Sequence, residues 1–269
     1  MREKAILNYV GNLHSGLPSV LFIPGAMTSP NVFAGLANYL PCQSAIIDWN
    51  NSDGPWEVET VGKKVLALIR ELQLGPTVLA GYSWGGVVSL AAAIDDEEEL
   101  VKGIMVADTG ACAIGHGDPD FPRKLEKDWP DRELFREFSA RCYARPISQG
   151  MYQQLEDYAM ALKKDTVCQA AHSVRESDFR DRLNEITCPV QILHGLKDQS
   201  RSKIHAQILA DGISGAELFW MDCGHTPMVE LPGEYLEKLL YFLDRVGLVE
   251  DPAAMDVLHA ETGKMSIIQ

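Results

Sequence analysis

Positive charge is scarce in this chain of 269 residues: 24 Lys and Arg stand against 38 Asp and Glu, a formal net charge of −14. Nucleic-acid binding needs a basic face, and an anionic membrane also attracts one. Neither is expected as a partner. Acidity of this kind reports solubility and names no function. The densest acidic run, residues 95–99, reads as a solvated turn after a helix. Cysteines are few and scattered: Cys42, Cys112, Cys142, Cys168, Cys188 and Cys223 form no C-x-x-C pair. That excludes a zinc knuckle and makes a disulfide framework unexpected, so the six read as reduced thiols, mostly buried. The N-terminus lacks the apolar stretch of a signal peptide, and no apolar run reaches the roughly 18 residues of a membrane span. Cytoplasm is the expected location. The glycosylation pattern Asn50-Asn51-Ser52 carries little meaning without a secretory signal. There is no G-x-x-x-x-G-K-[ST] phosphate loop and no H-E-x-x-H helix. No metal, nucleotide, flavin or other cofactor is implied.

Short apolar runs alternate with longer amphipathic segments. Residues 5–10, 19–23, 44–48, 77–80, 103–107, 190–193 and 217–221 read as strands. Their continuous apolar character suits strands covered on both faces. Residues 58–72 place Val61, Val65, Leu68 and Leu72 at helical spacing. Residues 84–94, 202–209 and 233–246 read as further helices. Alternating strands and helices predict an α/β fold with a mostly parallel, doubly wound sheet. The chain length suits one large domain or two small ones.

The alternation stops between about residues 110 and 185, which hold helical patterns at 132–143, 150–163 and 166–183 and many aromatics. The expected organisation is a core of residues 1–109 and 186–249, a helical lid at 110–185 between two late strands, and a tail at 250–269. The tail is weakly patterned and reads as partly disordered or as docking on a neighbour.

The strongest signal is Gly81-Tyr82-Ser83-Trp84-Gly85-Gly86, which follows a strand and opens a helix. A nucleophile elbow needs that context. The turn is sharp, so small residues must stand two before and two after the nucleophile. Gly81 and Gly85 do so. The N–H of Trp84, at a helix N-terminus, is placed to stabilise a developing oxyanion.

With this motif the chain resembles the serine-nucleophile branch of the α/β-hydrolase superfamily, from about residue 5 to residue 246. The resemblance implies an elbow after the fifth strand, a second oxyanion donor in an early loop, then an acid and a histidine in that order. The early loop is Leu21-Phe22-Ile23-Pro24-Gly25-Ala26-Met27. It has Pro24-Gly25 where the family usually carries His-Gly. By position the N–H of Ala26 is the donor, with Met27 as the fallback. Asp198 follows a strand and a glycine turn, as the family's acid does. Asp108, at the end of the preceding strand, is the competing candidate. The histidine is His225, in Cys223-Gly224-His225-Thr226-Pro227, before the last helix. Ser, Asp, His is the family's chain order. The other six histidines, His14, His116, His172, His194, His205 and His259, read as structural. Of these His116 is the candidate pocket residue and His194 a strand-end packing residue.

The expected activity is hydrolysis of a small-to-medium, rather apolar ester or lactone through an acyl-enzyme, in a pocket that includes Met27, Tyr82 and Trp129. Alternatives on the same fold are C–C bond hydrolysis of ring-fission products and cofactor-free dioxygenation. Both favour an aromatic pocket. A proline-iminopeptidase-like enzyme lacks its His-Gly-Gly-Pro-Gly loop here, and a non-catalytic receptor sits poorly with complete candidates for a triad. Dehalogenases and epoxide hydrolases of this fold carry aspartate where Ser83 stands. The partner is a small-molecule substrate, and a homo-oligomer stays open.

Overall fold

The structure, a computed structural model, describes residues 7–249. The expected tail at 250–269 and the start of the strand expected at 5–10 lie outside the described residues. Within them, seven strands form one sheet: β1 (Tyr9–Gly11), β2 (Ser19–Ile23), β3 (Gln43–Ile47), β4 (Thr77–Tyr82), β5 (Val101–Ala107), β6 (Val190–Gly195) and β7 (Glu217–Met221). Their spatial order is β1-β3-β2-β4-β5-β6-β7. β1 is antiparallel to β3, and all other neighbours are parallel. The elbow therefore follows the fourth described strand, not the fifth, because the short β1 alone precedes β2.

Strands β2 and β4 are buried at every position. Alternate residues of β2 serve opposite faces. Leu21 and Ile23 join the core with α2 (Val58–Glu71) and α3 (Trp84–Ile94), whereas Val20 and Phe22 join α1 (Asn31–Ala37) and α10 (Pro232–Arg245). This two-sided burial is why the sequence runs apolar without alternation. Helix α3 is buried over its whole length. α8 (Ile204–Gly212) covers the same face as α2 and α3 through Ala206 and Leu209. Before α10 a single turn, α9 (Pro227–Glu230), begins on a proline, as helix first turns tolerate.

Between β5 and β6 lie α4 (Phe121–Asp128), α5 (Arg132–Ser139), α6 (Gln149–Ala161) and α7 (Lys164–Glu176), then a 3-10 turn at Arg180–Glu185. Side chains cap two of them: Asp131 accepts from Leu134 N–H at 2.9 Å and Ser148 from Met151 N–H at 3.3 Å. The helix expected over 166–183 stops at Glu176, and Asp178 instead takes the Arg180 N–H into the following turn. The insertion has a core of its own, in which Leu125, Trp129, Phe135, Ala159 and Val167 surround Met27 from the loop after β2. No helix among the described residues is long and apolar enough to cross a membrane.

Candidate active site

Five non-glycine residues among those described have positive φ, and three of them, Met27, Ser83 and Asp108, stand just beyond the ends of β2, β4 and β5. Strain gathered at one end of a sheet marks a functional site. Ser83 has φ 52° and ψ −116° and stands between β4 and α3. Its neighbours leave no room for side chains. A Cβ on Gly85 would come within 2.0 Å of the Ile23 carbonyl oxygen, and one on Gly81 within 2.5 Å of the Gly85 carbonyl oxygen. The turn is held by the Ser83 N–H on Ala107 O at 2.9 Å and the Thr109 hydroxyl on Ser83 O at 2.7 Å.

The Ser83 Oγ lies 2.9 Å from His225 Nε2, and His225 Nδ1 lies 2.7 Å from Asp198 Oδ2. The other Asp198 oxygen accepts the N–H groups of Ser200 and Arg201, at 2.7 and 2.9 Å. Burial works against charge on Asp198, but the His225 charge, its hydrogen bond and the Arg201 N–H hold the carboxyl below its ordinary value. The acid and histidine loops touch: a Cβ on Gly195 would fall 1.9 Å from the Gly224 carbonyl oxygen.

The histidine loop is also bolted to the insertion. The His225 N–H donates to Cys142 O at 2.8 Å. Buried Glu230, on α9, accepts Gly224 N–H with one oxygen and Ala144 N–H with the other, both at 2.9 Å. The sequence carries no visible sign of this clamp.

Asp108, the competing acid, is fully buried one strand away. One of its oxygens accepts the Gly195 N–H at 2.8 Å. Ligand atoms of Asp108, Asp198 and His225 lie within 4.8 Å of one another, a spacing that could hold a metal ion. Both His225 nitrogens are already engaged, however, and burial disfavours the anion of Asp108. Burial first, then the Asp198 charge, push its carboxyl well above the ordinary range. His194 closes β6 as expected, packing edge-on to Trp220 with its Nδ1 3.7 Å from Asp108.

Ser83 opens into a cleft of about 650 Å³, counting the part that meets solvent. Ala26, Met27 and Trp84 line it, as does His116. The N–H of Trp84 begins α3 and has no carbonyl within the helix to bond. Apolar walls come from the insertion: Phe121, Leu125, Phe138, Val167 and Val174. Trp84 stacks on Trp49 at 3.8 Å and donates to Ala170 O at 3.0 Å. Two expected pocket residues stand elsewhere. Tyr82 borders a second, smaller cavity with Cys142 and Leu155. Trp129 does not line the Ser83 cleft; it is a core residue of the insertion, its indole N–H on Leu162 O at 3.3 Å. A large aromatic in a helical layer fills that layer's core first, and aromatic content alone does not separate the two uses. Asn50, in the glycosylation pattern, is buried and unavailable for modification.

The comparisons with known proteins agree with this geometry. Over 248 residues the chain is 25% identical to the AB hydrolase superfamily protein YisY of Bacillus subtilis, covering 85% of this chain and 92% of that one. It is 29% identical over 195 residues to a mitochondrial palmitoyl-protein thioesterase of Homo sapiens, covering 67% of this chain and 57% of the relative's length. Among solved structures, the enol-lactonase of Burkholderia xenovorans LB400 superposes with a TM-score of 0.77 at 19% identity, covering 88% of this chain and 96% of the other; at that identity the likeness concerns the fold alone. The pattern of the alpha/beta hydrolase family matches residues 20–238. With its parallel sheet, its elbow and its Ser-His-Asp arrangement, this chain belongs to the alpha/beta hydrolase family.

Proposed function

We propose that the protein is a serine hydrolase that cleaves a small-to-medium, largely apolar ester or lactone through an acyl-enzyme. One observation carries this reading: the unbroken chain from Ser83 Oγ through His225 to Asp198, at 2.9 and 2.7 Å, with Ser83 facing a cleft. A serine hydroxyl is a weak nucleophile at neutral pH. His225 Nε2 takes its proton as Oγ attacks the carbonyl carbon. Asp198 accepts from the Nδ1–H, fixing the tautomer, and balances the imidazolium that forms. The N–H groups of Ala26 and Trp84 receive the oxyanion, each worth roughly 3 kcal/mol. Protonated His225 gives its proton to the leaving oxygen. A water, deprotonated by His225 in turn, releases the acid and restores Ser83. The helical insertion serves as the lid.

The thioesterase and enol-lactonase names among the relatives agree with acyl transfer. C–C cleavage and oxygenation, which favour an aromatic pocket, form the second reading: Trp84, Phe121 and Phe138 line the cleft, whereas Tyr82 and Trp129 do not. The test is turnover of p-nitrophenyl esters of increasing chain length by wild type and Ser83→Ala. Turnover that vanishes in a folded Ser83→Ala protein is expected. Equal turnover by the two would remove Ser83 from the reaction.

A further inference from the structure

The Ser83 cleft has a cationic end in a chain of net charge −14. Arg141, Arg175 and Arg201 all line it, together with His116. Arg201 is the unusual one. The residue is only 1% exposed, yet no ion pair holds it among the described residues. One guanidinium nitrogen donates to Cys112 O at 3.2 Å, and its Nε has no partner. Burial lowers its pKa to about 10, which leaves it charged at neutral pH. A buried cation with no carboxylate on its guanidinium is costly, and folded chains rarely keep one without use. Arg141 repeats the pattern at the half-buried rim. Its Nε is buried without a partner, and its guanidinium lies 6.0 Å from the centre of the Phe138 ring. Arg175 differs: it is spent on the carbonyls of His116 and Asp118, and so fixes the wall.

The carboxylates nearby do not fill the gap. Asp198 is engaged by His225 and by backbone N–H groups. Asp118 is paired with Lys124 at 2.8 Å. Two guanidinium groups with unused Nε donors therefore share a cleft with Ser83, whose walls are mostly apolar but also carry His116, Asp118, Arg175 and Ser200. We propose that Arg201 and Arg141 form a carboxylate-binding subsite, so that the substrate is an ester or lactone with an apolar body and a carboxylate remote from the scissile bond. Few free donors and a dry wall suit one planar, singly charged group. A doubly charged phosphate would ask for more. The assignment of the bound group as part of a substrate rests on the hydrolase reading above; the anion site itself does not.

The test separates the two. Binding is measured by calorimetry on the full-length Ser83→Ala protein, which holds an ester without consuming it. The probes are the monomethyl esters of succinate, glutarate and adipate, each beside its neutral dimethyl ester. At least one monoester is expected to bind about tenfold or more tighter than its diester, the scale of a hydrogen bond to a charged group. Adding Arg201→Gln or Arg141→Gln should erase most of that preference. Arg141→Gln, at the rim, carries the test if the buried Arg201→Gln variant does not fold. Equal affinity for monoester and diester across the series, no measurable binding of any probe, or a preference that survives Arg141→Gln and any folded Arg201→Gln variant, would overturn the proposal. Loss of the hydrolase reading shows elsewhere, as p-nitrophenyl ester turnover that ignores Ser83→Ala.

Discussion

At the ends of β2 and β4, residues reach the cleft through backbone geometry: a positive φ at Met27 and Ser83, and glycines packed against carbonyls. The helical insertion contributes differently. Its Phe121, Phe138, Arg141 and Arg175 reach the same cleft through long side chains on ordinary helices and loops. Strained backbone fixes atoms to fractions of an ångström, which a reaction centre needs. Side chains on helices set shape and charge, which are easily varied. In this protein the sheet ends carry Ser83 and Asp198, and the insertion carries most of the apolar wall of the cleft.

The sharpest way to break that division is at the sheet end. Ser83→Ala and His225→Ala are each expected to lower kcat by about ten-thousand-fold or more with the fold intact, checked by ester kinetics beside circular dichroism. A smaller effect follows from the two acids. Asp198→Ala should cost on the order of a thousand-fold or more in kcat, because His225 loses its orienting partner. Asp108→Ala should remain within roughly tenfold of wild type, since the His225 nitrogens bond Ser83 and Asp198 and neither bonds Asp108. The reverse ranking would give the acid's role to Asp108.

The joint between the two regions comes next. Glu230→Ala removes the acceptor that ties Gly224 to Ala144, so His225 can shift by a fraction of an ångström. A loss of roughly tenfold to a hundredfold in kcat with little change in KM is expected. A change confined to KM would make the clamp part of substrate selection instead.

The mildest effect is on stability. Burial holds the pKa of His194 and His205 down at about 4, and that of His116 well below its ordinary value. Unfolded, all three take up protons below about pH 6.5. The unfolded state then binds more protons than the folded one, so their contribution, full above that pH, is lost as pH falls towards 4. Asp108 acts oppositely, because burial raises its carboxyl's pKa in the folded state, and offsets part of this. Stability should therefore fall from pH 6.5 to 4, by about 1.4 kcal/mol per pH unit for each histidine not offset. Urea midpoints across that range check the slope, and His205→Gln should flatten it.

Much of the sheet is legible in the sequence because burial on both faces leaves long apolar runs, as in β2 and β4. The elbow is legible for a related reason: only glycine fits at 81 and 85. Asp198 and His225 follow from loop position after a strand. What is not legible depends on neighbours distant in the chain. Asp108 and Asp198 look like rivals in sequence, yet β5 and β6 are adjacent strands, so both acids reach one place. Arg201, three residues past Asp198, looks like a surface charge until the fold buries it. Helix α4 begins Phe121-Pro122 and alternates charges, which hides its apolar stripe of Phe121 and Leu125. Trp129 reads as a pocket residue because composition cannot tell a layer's core from its lining.

The chain leaves the sheet at the end of β5 and returns along β6, the very next strand, with Ala107 paired to Leu193. Because the two strands are parallel, β6 begins at Val190 opposite Ile104, so the segment between them must cross from one end of the strand pair to the other. The entropy of closing such a loop grows only with the logarithm of its length. The segment can change length at small entropic cost, but three of its groups hold the site: the Thr109 hydroxyl on Ser83 O, Cys142 O under the His225 N–H, and the Ala144 N–H on Glu230. For an engineer, any graft between Asp108 and Val190 has to supply these three contacts again, or Ser83 and His225 lose their supports.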